Sequence, residues 1–401
     1  MTSLEGSAGL RGHRHVDEAL LDSLERIEAA DRSGMLRALA SAGAQVRESA
    51  ALAAEANLTS LADEGRPRAV VVAGVGTAAR TGDLLETVAG PRCPVPVVGH
   101  RSAGIPGWVG ASDAVIAVSA SGRSPEALAA ADAAGRRGAR LVAIGPPDSE
   151  LQSLAERARA PFVPVPRRAP ARASLWALTV PVLLAARTLG LLRINEADFA
   201  ETAARLDADA ERCRPGADSF VNPAKALALD LANSIPIVWG SSPLATVAAR
   251  RVGDMLSANA RYPVVAGALG EAGRGRVGLI DGVYGGLVES ERDIFADPSD
   301  EADEPTRLRV LLLRDGGLAD ENAEAGEPTA VEDRRADAVL ELAARRSVRC
   351  GVIQAEGASP LERLASLIAV PDFASVYLAI AHGLDPTAVP AVDEMKEFTR
   401  R

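Results

Sequence analysis

The stretch "DAVIAVSASGRSPEALAAADAAGRRGARLVAIG", Asp113 to Gly145, carries the pattern from which the fold can be read. An apolar run, Ala114 to Val118, stops at a serine, and a loop with three hydroxyls (Ser119, Ser121, Ser124) and a glycine follows. Ser124 before Pro125 is a helix-start signal, an N-cap residue with proline at the first helical position. The second apolar run, "LVAIG", closes the unit. Two strands apolar along their whole length, joined through a helix, predict a parallel pair covered by helices on both faces. Upstream, "RAVVVAGVGTAARTGDLLETVAG" (68–90) repeats strand, glycine-containing turn and helix, and "VPVVG" adds a strand. In such sheets ligands sit beyond the carboxyl ends of the strands, where these loops lie.

Working outward, residues 17–64 show apolar positions at helical spacing. Around residues 205–224 the pattern loosens into Pro, Gly and charge, the mark of a connection between domains. The alternation restarts at "SIPIVWGSSPLATVAARRVGDMLSANA", whose layout echoes the first half, so the halves read as divergent copies of one unit. Further strands are expected at "RVGLIDGV", "RLRVLLLRD" and "VRCGVIQAE", an acidic solvated loop at "DGGLADENAEAGEPTAVEDRR", and helices to the end. The expected fold is α/β, two three-layer subdomains with parallel sheets behind a helical N-terminal extension. The expected boundaries are a helical segment 1–64, a first domain 65–204, a linker 205–224 and a second domain 225–401.

Composition narrows the function classes. The 401 residues are 47% hydrophobic and 24% charged, as in globular chains. A net charge of −10 argues against nucleic acid as a partner, because phosphate backbones need basic surfaces. Three separated cysteines (Cys93, Cys213, Cys350) and four scattered histidines (His13, His15, His100, His382) give no metal or disulfide spacing. No metal or cofactor is expected. The start of the chain lacks an apolar signal core, so a cytoplasmic protein is expected. The longest apolar stretch, Ser174 to Leu192, is broken by Pro181 and Arg187 and reads as a buried core helix rather than a membrane span.

The loop Ser119–Glu126 has two readings on spacing alone. One is a plain strand-to-helix turn, which often carries serine and glycine. The other is an anion cradle, in which the free N–H groups of the helix start, the hydroxyls of Ser119, Ser121 and Ser124, and close approach at Gly122 hold a phosphate. Arg123 adds a charge there or points to water. Glu126 complements the helix dipole.

"SASGRSPEAL" resembles the phosphosugar-binding loop of sugar isomerase (SIS) domains, and the order of further blocks resembles the bifunctional phosphoglucose/phosphomannose isomerase family. "AGVGTAARTGDLL" is similar to that family's first turn, "RRAPARASLWAL" to its arginine-bearing segment, and "NPAKALALDLANSIPIVWGSSPLATVAARRVGDMLSANARYP" to the opening of its second domain. "LERLASLIAVPDFASVYLAIAHGLDPTAVPAVDEMK" resembles its C-terminus and is the most specific block. The resemblance implies flavodoxin-like SIS subdomains, a phosphorylated sugar as ligand and a homodimer. It gives phosphosugar-binding roles to Thr77, Ser119, Ser121, Gly122, Ser124 and Arg172, and points to Lys396 as a catalytic cation.

The same resemblance exposes what is missing. Aldose–ketose interconversion needs ring opening and then a base that moves a proton between C1 and C2. The family's base is a glutamate in a segment matched by "SANAR", which puts Ala258 at the carboxylate position, followed by Asn259, Ala260 and Arg261. Its ring-opening histidine is matched by Arg274 in "GEAGRG", and a phosphate-binding serine of the first turn by Ala78, beside Thr77. Glu271 stands as a substitute base, and Arg172 and Lys396 also fit ordinary surface cations. Arg250 and Arg251 read as a solvated or domain-facing helix side. Three functions follow: an isomerase of glucose 6-phosphate and mannose 6-phosphate, a phosphosugar-binding protein with weak or lost catalysis, or another reaction on an anionic sugar. The second fits the residues, and the first fits the family.

Overall fold

A computed structural model describes residues 16–287, 306–316 and 327–400. His13, His15 and residues 317–326 of the acidic stretch lie outside the described residues. The chain divides into two units, one of Gly34–Glu211 with Ser359–Ala365, the other of Met1–Ser33, Arg212–Ala358 and Ser366–Arg401.

Helices along the chain are α1 (Leu24–Ala30), α2 (Met35–Ala40), α3 (Ala42–Glu55), α4 (Thr77–Ala89), α5 (Pro125–Arg136), α6 (Glu150–Arg157), α7 (Leu175–Thr188) and α8 (Glu196–Arg212). They continue as α9 (Pro223–Leu231), α10 (Pro243–Met255), α11 (Leu269–Ala272), α12 (Glu327–Arg345), α13 (Pro360–Ala381) and α14 (Pro390–Arg400).

The first unit is built on β1 (Val70–Ala73), β2 (Val97–His100), β3 (Ala114–Val118), β4 (Arg140–Gly145) and β5 (Phe162–Pro164), in the order β2-β1-β3-β4-β5 and parallel throughout. Every residue of β1 and β3 is buried, as a sheet covered on both faces requires. Side chains alternate between the layers. Val71, Ala73, Val115 and Ala117 join a core with the alanines of α5 and with Leu151, Leu154 and Ala155 of α6. Val72 points the other way, against Gly82 of α4, where a Cβ would come within 3.1 Å of the Val72 Cβ. The apolar α7 is buried from Leu175 to Ala186 with Pro181 inside it, the core helix expected from its sequence.

The second unit holds β6 (Ser234–Gly240), β7 (Val265–Ala268), β8 (Arg307–Arg314) and β9 (Arg349–Gln354), ordered β7-β6-β8-β9 and again parallel. The two sheets therefore run in the same strand order, as copies of one unit would. Its core gathers Trp239, Val310, Leu312, Val339 and Ala343. The helix α13 is long and apolar enough to cross a membrane, and 94% of its apolar window is buried in protein.

Three elements differ from the expectation. "RVGLIDGV" is a 3₁₀ helix, Arg276–Asp281, not a strand. Glycines punctuate it, and only Ile280 is buried, so it lacks the two apolar faces of a central strand. The strand is instead β7, in the small-residue run after Pro263. The acidic stretch is helical from Glu327 onward. The connection between the halves is shorter than 205–224, because α8 continues to Arg212.

The described N-terminal helices do not stand apart as one segment. Lys225 is 1% exposed, and its ammonium donates to the carbonyls of Leu21, Pro215 (2.8 Å) and Ala217 (2.6 Å). Burial pulls this ammonium below the ordinary lysine value. Ser219 donates to Asp22 through its N–H and hydroxyl, at 3.0 and 2.6 Å. These bonds tie the residues around Leu21 to the second unit, while α2 and α3 belong with the first.

Candidate functional site

In the first sheet the chain leaves β1 for β2 on one side and then crosses to β3 on the other. The switch point lies between β1 and β3, which are paired up to Ala73 and Ala117. This is where ligands bind in open α/β sheets. Two loops leave these neighbouring strand ends, Gly74–Gly76 and Ser119–Ser124, and each enters a helix at once. Neither α4, with Gly76 at its N-cap, nor α5, with Ser124 there, has a side chain capping its first N–H groups. Two uncapped helix starts at one crevice give unsatisfied donors and the positive ends of two dipoles.

The hydroxyl loop is organised around Ser119, which is only 2% exposed. Its Oγ accepts from the Gly122 N–H and from the Ser124 hydroxyl, both at 3.0 Å. The Ser121 Oγ lies 3.4 Å from it and accepts from the Arg123 N–H at 3.2 Å. Ser124 thus occupies the N-cap position expected of it but turns its hydroxyl inward, leaving the helix start open. Ser119 is the buried hub of the loop, while Ser121 is exposed and Ser124 half-buried at its rim. Arg123 is exposed.

Gly122 sets the turn. Its φ is 70°, in the left-handed region, and an added Cβ would sit 2.4 Å from the Ser149 Cβ. Its carbonyl accepts from the Leu151 N–H at 3.2 Å, so the loop is clamped under the start of α6. Ser149, the N-cap of α6, has no role in the sequence reading; "PDSE" carries the capping signal that would have found the helix.

Thr77 is the first residue of α4 and half-buried. Ala78 is 2% exposed, and its Cβ lies 2.9 Å from where a Cβ on Gly74 would fall. Arg172 is half-buried on the turn Ala171–Ala173, after the carboxyl end of β5. Gln45 of α3 holds that turn, donating to the Ala173 carbonyl at 2.8 Å and accepting from the Ala177 N–H at 3.2 Å.

The positions matched to proton transfer lie in the second unit. Leu256–Ala260 forms a wide π-type turn at the end of α10, a feature frequent at functional sites. Asn259 is fully buried and donates to the Ser375 Oγ at 2.8 Å, and Ser375 donates to the Asp372 carbonyl at 2.6 Å. Asp372 is gripped by Arg251, at 2.8 Å from Nη2 and 3.2 Å from Nε. Burial pushes the Asp372 carboxyl up, and Arg251 opposes it. Arg251, at 3% exposed, is therefore a core ion-pair partner and not a solvated side chain; Arg250 alone is exposed.

Ala258 rides on this frame, partly exposed. Arg261 follows with a φ of 61° and donates to the carbonyls of Asp385 and Ala388. Glu271, on the one-turn α11, and Arg274 are both exposed to solvent. Lys396 lies on the exposed face of α14 and pairs with Asp393 at 3.1 Å. Among the described residues no cluster of His, Cys, Asp or Glu is arranged to hold a metal ion.

Residues 220–398 match the family model of the bacterial phospho-glucose isomerase C-terminal SIS domain. The chain is 29% identical over 329 residues to the bifunctional phosphoglucose/phosphomannose isomerase of Caldicellulosiruptor bescii, covering 82% of this chain and 88% of that one. A hypothetical protein from Thermus thermophilus shares the fold with a TM-score of 0.66 and 15% identity, covering 95% of this chain and 94% of its own. A glucose-6-phosphate isomerase like protein from the same organism does so with a TM-score of 0.53 and 18% identity, covering 94% and 98%. Residues 220–398 thus match a SIS-domain family, and most of the chain resembles a bifunctional phosphoglucose/phosphomannose isomerase in sequence.

Proposed function

We propose that the chain binds a phosphorylated sugar of the glucose 6-phosphate, mannose 6-phosphate and fructose 6-phosphate class, and that its aldose–ketose isomerase activity is weak or lost. The observation that carries the binding half is the pair of uncapped helix starts at the β1/β3 switch point, one of them entered through the hydroxyl loop. Such a site holds a phosphate dianion without lysine. In this reading Thr77, Ser121, Gly122 and Ser124 meet the phosphate, Ser119 shapes the loop, and Arg172 adds charge.

The catalytic half rests on Ala258. An alanine cannot accept a proton, and removing a general base costs roughly 10²–10⁴-fold in rate. Glu271 is exposed to water, which competes for every hydrogen bond it would make to a substrate. The 29% identity across most of the chain favours a second reading, an active isomerase with a substitute base. A cytoplasmic homodimer belongs to either reading.

The test is a coupled assay of the full chain on glucose 6-phosphate and mannose 6-phosphate, beside melting with fructose 6-phosphate. A raised melting temperature without turnover is expected. Turnover well above background overturns the loss of catalysis, and no ligand effect on melting overturns phosphosugar binding. Ala258→Glu restores a carboxylate on an intact frame and is expected to raise turnover by about 10²-fold or more. A variant as inactive as the parent would count against Ala258 as the missing base.

A further inference from the structure

In the first unit β2 flanks β1 on the side away from β3, and His100 is its last residue. The register pairs Val71 with Val98 and Ala73 with His100, so both β2 side chains lie on the face covered by α5 and α6. Ala117 of β3 joins the same face, and Ser119 follows it by two residues. The hydroxyl loop and His100 therefore stand at the carboxyl end of one face, with β1 between them. Two strand spacings separate β2 from β3, roughly 10 Å, close to the span of an extended six-carbon phosphate. Across that gap runs the Gly74–Gly76 turn. The Gly74 N–H donates to the His100 carbonyl at 3.0 Å, and no atom beyond its chain neighbours lies within 4 Å of where a Cβ on Gly76 would fall.

The fold gives the His100 ring no bond of its own. Its Nε2 is buried and has no hydrogen-bond partner among the described residues. A buried polar atom without a partner costs roughly 1–3 kcal/mol, so its presence calls for a reason other than packing. The residue as a whole is half-buried and still meets solvent at the sheet end. Its place is fixed from the other face of the sheet. Arg101, next in sequence, donates to both oxygens of Asp83 at 2.6 and 2.7 Å, and Arg80 of α4 donates to the same carboxylate at 2.9 Å. These bonds pin the end of β2 to α4.

We infer that His100 is the sugar-side contact of the first crevice: with the phosphate on the hydroxyl loop, the ligand lies across the Gly74–Gly76 turn and a sugar hydroxyl meets the imidazole. This rests on the proposed phosphosugar binding and deepens it, because a phosphate cradle alone does not tell a sugar phosphate from inorganic phosphate. An imidazole can give or take a hydrogen bond with a hydroxyl. One such bond is worth about tenfold in affinity, and inorganic phosphate, which ends at the loop, gains nothing from it.

The experiment titrates the full chain with fructose 6-phosphate and with inorganic phosphate by calorimetry, in wild type, His100→Leu and His100→Gln. Leucine removes both ring nitrogens, and glutamine keeps a donor and an acceptor. His100→Leu is expected to lose about tenfold in fructose 6-phosphate affinity and to keep its phosphate affinity, while His100→Gln keeps most of the affinity for the sugar. Without ligand, His100→Leu is expected to melt at or above wild type, because it removes a buried nitrogen that has no partner. Loss of affinity for both ligands alike, or for neither, overturns the inference and leaves phosphate binding standing. So does a wild type that binds fructose 6-phosphate no more tightly than phosphate. A His100→Leu chain that fails to fold shows a ring held for structure and overturns it as well. If wild type binds neither ligand, the phosphosugar reading itself fails and this contact falls with it.

Discussion

Replacing Gly122 by alanine tests whether the hydroxyl loop depends on its clamp beneath α6. The backbone there has a φ of 70°, which costs a residue with a Cβ roughly 1–2 kcal/mol. The new methyl would lie 2.4 Å from the Ser149 Cβ, 2.7 Å from its Oγ and 3.3 Å from the Pro146 Cδ. Relieving such overpacking costs roughly a further 1–3 kcal/mol. The expected loss is thus about 2–5 kcal/mol, or about 4–20 °C in melting temperature for a domain of this size. Gly138→Ala separates the two causes, since its φ is 66° but no atom lies within 4 Å of the added Cβ. That variant should lose only the backbone part, about 1–2 kcal/mol. Relief of the clash must move the loop away from Ser149, breaking the Gly122 N–H bond to Ser119 and the Leu151 bond to the Gly122 carbonyl. Melting with and without fructose 6-phosphate is the assay. Gly122→Ala should lose the ligand-induced rise, while Gly138→Ala keeps it. If the two variants melt together and both keep the rise, the clamp does not shape the site.

Two further perturbations bear on what holds each unit together. Lys225→Met leaves three carbonyls without their donor, at roughly 1–3 kcal/mol each, so a loss of at least about 3 kcal/mol is expected in urea unfolding. Proteolysis near Leu21 should quicken with it, and an unchanged urea midpoint would count against the latch. Burial alone would raise the Asp113 carboxyl, but Arg68 at 2.7 and 3.0 Å and the Gly110 N–H at 2.9 Å hold it below the usual carboxylate range. Its folded value therefore lies below its unfolded one, so its stabilisation is full above about pH 4 and is lost as pH falls through the folded value. Asp113→Asn should lower stability at neutral pH and flatten the acid limb of the stability curve. An acid limb identical to wild type would refute that assignment.

The parallel sheets were legible because their central strands are apolar on both faces and bounded by glycine and serine. Where that contrast fades, reading by pattern misplaces elements. "RVGLIDGV" has strand-like residues, but its glycines let it coil into a 3₁₀ turn. The true edge strand β7, Val265–Ala268, holds only small residues and is half-exposed, so it carries little signal. The division of the chain was harder still. Residues around Leu21 join the second unit through a lysine more than two hundred positions away, and nothing local announces such a contact.

The candidate site shows where local signals stop. Ser124-Pro125 and Ser242-Pro243 are the same dipeptide after different strands of two related units, β3 in one and β6 in the other, and both serines stand at an N-cap. Only Ser242 caps its helix. Ser124 instead gives its proton to Ser119, because Gly122 folds the loop back on itself beneath Ser149. Ser242 keeps its lone pair on the helix because Asp315, at the end of the neighbouring strand, takes its proton. Capping preference names a helix start equally well in both cases. What differs is the neighbour that takes the hydroxyl proton, Ser119 within the same loop for one serine and Asp315 at the end of the next strand for the other.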